Sequence, residues 1–74
     1  MDENKEVVVK NLETLLRSTR GYYNIHLEYH IQSVNDHVIY EYVVITYDNR
    51  DYVEKVNVTA DSGFAIIKDV MRKL

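Results

Sequence analysis

YYNIHLEYHIQS, residues 22–33, alternates apolar and polar positions over nearly its whole length. The odd positions are Tyr23, Ile25, Leu27, Tyr29 and Ile31; the even ones, after Tyr22, are Asn24, His26, Glu28, His30 and Gln32. Side chains of a strand point alternately to opposite faces, so a period of two describes a strand with one buried and one wet face. The odd row defines the core side, and every neighbouring segment can be registered against it.

Val34-Asn35-Asp36-His37 follows. Asn and Asp tolerate positive φ, so Asn35-Asp36 is expected to form a two-residue hairpin turn. If that turn alone sets the register, Ile31 faces Tyr40, Tyr29 faces Tyr42, Leu27 faces Val44 and Ile25 faces Thr46. Directly opposed residues lie on one face. The second strand would then turn Val38, Tyr40, Tyr42, Val44 and Thr46 to the core, and Ile39, Glu41, Val43, Ile45 and Tyr47 outward. A third strand is expected from Tyr52 to Val58, after the polar Asp48-Asn49-Arg50-Asp51. A two-residue loop at Asn49-Arg50 would set Lys55 and Asn57 against Val44 and Tyr42 on the core side, which is unfavourable. A three-residue loop, Asn49-Arg50-Asp51, opposes Val56 to Val44 and Val58 to Tyr42, and is the expected form.

A helix is predicted on either side. Between Asp2 and Thr19, Val8, Val9, Leu12, Leu15 and Leu16 fall on one helical face. Asp2 or Asn4 can cap its start, and Glu3 and Glu6 suit its first turn. Arg17 and Arg20 suit its end, where Gly21 would supply a left-handed stop. A second helix is expected after Thr59 or Asp61 as cap, with Phe64, Ile67, Val70, Met71 and Leu74 as its apolar stripe and Gly63 as a weak point. The order is α-β-β-β-α. It predicts one small α+β domain over residues 1–74: two layers, a three-stranded antiparallel meander with both helices on one face.

Composition narrows the chemistry. No cysteine occurs among the 74 residues, which removes disulfides, thiolate zinc sites and thiol catalysis. A net charge of −3 argues against a phosphate-backbone binder. No apolar run approaches the roughly 20 residues of a membrane span, and the opening MDENKE is no secretory signal, so a cytoplasmic location is expected.

The element order is similar to that of double-stranded RNA-binding domains. Those domains reach phosphates with lysines at the start of their second helix. The corresponding Thr59-Ala60-Asp61-Ser62-Gly63 carries an acid there, so RNA binding is not expected. VIYEYVVITYDNRDYVEKVNVTADSGFAI, residues 38–66, resembles the last two strands of PepSY-type domains. Val58, Ala60, Ser62 and Gly63 fall near those domains' closing IDA-x-TG-x-I-like tail, with Thr59 in place of its Asp.

His26, Glu28 and His30 alternate on the outer face of the first strand. At about 3.3 Å per residue the two histidines stand some 13 Å apart, too far to share one ion. Ser18, Ser33 and Ser62 fall in caps or turns, and Gly21 and Gly63 stand alone. No catalytic residue, metal, cofactor or small-molecule substrate is therefore expected. The outer sheet face, with Ile39, Val43, Ile45, Tyr47 and Val53 at its centre and His26, Glu28, His30 and Glu41 around them, is the expected protein interface. It would serve a homodimer or a docked partner protein. A second reading is an acidic inhibitor of a nucleic-acid enzyme, touching its target through Glu28, Glu41, Asp48 and Asp51.

Overall fold

A computed structural model has the order α1 (Lys5–Arg17), β1 (Ile25–Val34), β2 (His37–Tyr47), β3 (Val53–Asn57) and α2 (Gly63–Arg72). It describes residues 4–48, 51 and 53–74; Asp2 and Glu3, Asn49-Arg50 and Tyr52, used in the expectations above, lie outside them. The three strands form an open antiparallel sheet of order β1-β2-β3, as the α-β-β-β-α reading requires.

Asn4 caps α1, its side chain accepting the Val7 N–H at 3.2 Å. Val9, Leu12 and Leu16 are buried, while Leu15, expected in the stripe, lies on the exposed flank. The helix stops at Arg17 without a left-handed glycine: Ser18 and Thr19 fold their hydroxyls back onto the carbonyls of Leu15 and Leu16. Gly21 has no positive φ, so its expected role is corrected.

In α2, Ser62 is the cap, in place of Thr59 or Asp61. The buried face is Gly63, Ile66 and Val70, so the helix is rotated from the predicted stripe. Phe64 is 71% exposed and Met71 is also exposed. Gly63 is buried in the first turn.

The hairpin turn is as expected, with Asn35 and Asp36 at φ 51° and 65°, the mirror-image turn that suits the twist of paired strands. The register beyond it is not. Ser33 pairs with Val38, but the preceding Gln32 pairs with Tyr40, leaving Ile39 as the extra residue of a β-bulge. From there every pair is displaced by one: Tyr29 faces Val43, Leu27 faces Ile45 and Ile25 faces Tyr47. A shift of one residue turns a strand over. Glu41, Val43 and Ile45 therefore face the core, and Tyr40, Tyr42, Val44 and Thr46 face outward.

The third strand compensates. Val56 lies opposite Val43, not Val44, and the rejected pairs Lys55 with Val44 and Asn57 with Tyr42 do form. They are harmless because they stand on the outer face. Val56 and Val58 still point inward as expected, since two displacements of one residue cancel. With both helices on that side, they join Val9, Leu12, Leu16, Ile25, Leu27, Val43, Ile45, Ile66 and Val70 in one core.

Candidate functional site

The interface predicted from the sequence is redistributed by the bulge. Val43 and Ile45 are 0% and 1% exposed, and Glu41 is 6% exposed. Tyr47 is half-buried against the core. None of the four belongs to the open face, and Ile39 is the exposed bulge residue. His26, Glu28, His30 and Val53 do stand on the outer face, on the rows of Thr46, Val44, Tyr42 and Thr46 respectively.

Tyr42 is the centre of that face. His30, its cross-strand neighbour, stacks on it with ring centroids 5.2 Å apart and planes 22° from parallel. The Tyr40 ring approaches from the same strand at 5.1 Å, and the Lys55 ammonium lies 4.8 Å over the Tyr42 ring. Such contacts add roughly 0.5–1 kcal/mol each and hold the ring in one place. Val44 and Val53 extend the apolar strip. Two histidine–carboxylate hydrogen bonds form its rim, His30 Nε2 with Glu28 at 3.1 Å and His26 Nε2 with Asp48 at 2.7 Å. His30 thus lies opposite Tyr42, and no group of three metal-ligating side chains forms among the described residues. Tyr40, Tyr42, Val44 and Thr46 were missed as surface residues. The sequence held only a weak hint of this: tyrosine and threonine tolerate water better than Val43 and Ile45 of the alternate row, but both rows are strand-forming.

On the other side of the sheet, Glu41 is the one buried charged residue among the described residues. Its carboxylate accepts from Lys5 Nζ at 2.9 Å, from the Tyr29 hydroxyl, and from the Ala60 N–H at 2.7 Å. The Glu41 N–H donates to Thr59 Oγ1 at 3.0 Å, and the Val58 N–H donates to its carbonyl at 2.9 Å. The carboxylate so ties α1, β1 and the β3–α2 connection to one point. It also explains why Ala60 sits at φ 63°, a conformation that costs an L-residue about 1 kcal/mol. The Tyr29 hydrogen bond, with those of Lys5 and Ala60, outweighs burial and holds the Glu41 carboxyl below its ordinary range. Burial and the same carboxylate push the Tyr29 hydroxyl far above its own.

Asp61, expected as a cap, lies beside the Asp69 carboxyl. That contact, with burial and the nearby negative charge, raises its pKa; its Oδ2 is buried with no partner among the described residues.

On β1, Arg17 donates to the Ile25 carbonyl at 2.9 Å and Glu13 accepts the Leu27 N–H at 2.7 Å. These side chains occupy the groups another strand would need, which protects that edge from pairing. Among the described residues no helix is long and apolar enough to cross a membrane. No family model, curated protein or solved structure matches the chain.

Proposed function

We propose that the chain is a non-catalytic protein-interaction module, suited to the cytoplasm, that docks a partner protein on the open sheet face around Tyr42. The observation that carries this reading is the uncovered strip of Tyr40, Tyr42, Val44 and Val53, held in place by the His30 stack and the Lys55 cation. An aromatic centre with a charged rim is the composition of interface hot spots. A cytoplasmic setting suits a domain that uses no disulfide. The inhibitor reading has less support, because Glu41 is buried and Glu28 and Asp48 are engaged by histidines.

The test compares proteins retained from cell extract by the parent, by Tyr42→Glu and by Phe64→Glu, after circular dichroism has checked all three folds. A partner kept by the parent and Phe64→Glu but lost by Tyr42→Glu supports the sheet face. Identical retention by all three, or none by the parent, overturns it.

A further inference from the structure

Beyond Glu41 the β1–β2 hairpin leaves the rest of the molecule. β3 pairs with β2 only over Tyr42–Thr46, and residues 31–39 are all exposed. Ile31, Val34, Val38 and Ile39 each expose more than half of their surface. Ile31 and, through its pairing with Ser33, Val38 continue the core-facing side of the sheet past the Lys5–Glu41–Tyr29 cluster. The core face therefore runs out along an arm that nothing in the described chain covers.

We infer that this arm is a self-association element, covered in solution by the equivalent arm of a second copy. Area is the first argument. A compact monomer of 8.8 kDa exposes about 4,800 Å², whereas this chain exposes 5426 Å². The excess, roughly 650 Å², approaches the ~800 Å² that each partner buries in a stable interface. Charge is the second. The chain carries −3, yet between Ile31 and Tyr40 the titratable side chains are Asp36 and His37, so two copies can meet there with little repulsion. A strongly charged partner would find nothing on the arm to complement. The third is stability: a two-stranded ribbon is marginal by itself, and a cysteine-free domain of this size gains from association.

The inference is independent of the Tyr42 face. Its test is sedimentation equilibrium of the full chain from about 1 µM to about 1 mM, at low and high salt. The parent is expected to dimerise with little salt dependence. Ile31→Glu with Val38→Glu should weaken the dimer about a hundredfold or more, since a carboxylate would be buried unpaired, while Tyr42→Glu leaves it intact. Oxidation of Ile39→Cys, in a chain with no other thiol, should cross-link far more than Leu15→Cys on α1. A parent that stays monomeric throughout overturns the inference. So does a dimer unaffected by the double variant with Ile39→Cys no better cross-linked than Leu15→Cys.

Discussion

Tyr29 donates its hydroxyl hydrogen to Glu41 although neither residue lies opposite the other: Tyr29 pairs with Val43, and Glu41 with Ile31. The contact is diagonal across β1 and β2, within reach of a long aromatic side chain. It gives the buried carboxylate one of its three donors.

Replacing Glu41 by Gln removes the charge that Lys5 balances and disturbs the hold on Ala60. The variant should lose about 2–4 kcal/mol of unfolding free energy at neutral pH, read by urea titration. The acid limb gives a second readout. Because the folded-state pKa of Glu41 is depressed, its contribution is present above the unfolded value and lost as pH falls through the folded one. The parent should therefore lose more stability on acidification than Glu41→Gln does.

Asp61 has the opposite sign. Its folded pKa is raised, so its contribution is full below the unfolded value and disappears as pH rises through the folded one. Asparagine removes the carboxylate charge from beside Asp69 and can donate to it. Asp61→Asn should raise Tm at pH 7 by roughly 3–6 °C and should do so less below pH of about 4. Equal effects at both pH values would refute the raised pKa as the cause.

The bulge makes adjacent valines unequal. Val43→Glu puts a carboxylate in the core and should cost more than about 4 kcal/mol or prevent folding. Val44→Glu, on the outer face beside Lys55, should change stability by no more than about 1 kcal/mol. Thermal melts of the two variants distinguish the observed register from the bulge-free one, which reverses the order.

At the turn, Asp36 occupies φ 65°. Glycine adopts such angles without steric cost, so Asp36→Gly should stabilise the hairpin by about 0.5–1 kcal/mol, measured by urea midpoint.

The element order, the Asn35-Asp36 turn and the middle of the β1 core row, Ile25, Leu27 and Tyr29, were legible because each rests on local chemistry or on a period within one segment. At the ends of the row Tyr23 and Ile31 are exposed, and Tyr22 packs on the core in place of Tyr23. The face of β2 was not. Its two rows, Val43-Ile45-Tyr47 and Tyr42-Val44-Thr46, are both strand-forming, and the bulge that chooses between them has no glycine to announce it. The outer sheet face inherited that ambiguity: His26, Glu28, His30 and Val53 stand on it as expected, whereas Tyr40 and Tyr42 were expected on the core side. In α2, Phe64 and Met71 drew the predicted stripe by hydrophobicity alone. The packing that favours Gly63, Ile66 and Val70 depends on close approach to the core, which no period reports.

Ile39 also bears on what happens when the hairpin pairs wrongly. If it paired with Gln32 instead of bulging, the unbroken register would turn Val43 and Ile45 toward water beside an uncharged β-branched run, Val43-Val44-Ile45-Thr46. Segments of that composition, once exposed, seed cross-β assembly. A one-residue slip in the pairing of β2 would thus be felt first as aggregation of newly made chains, and only secondarily as weakened folding.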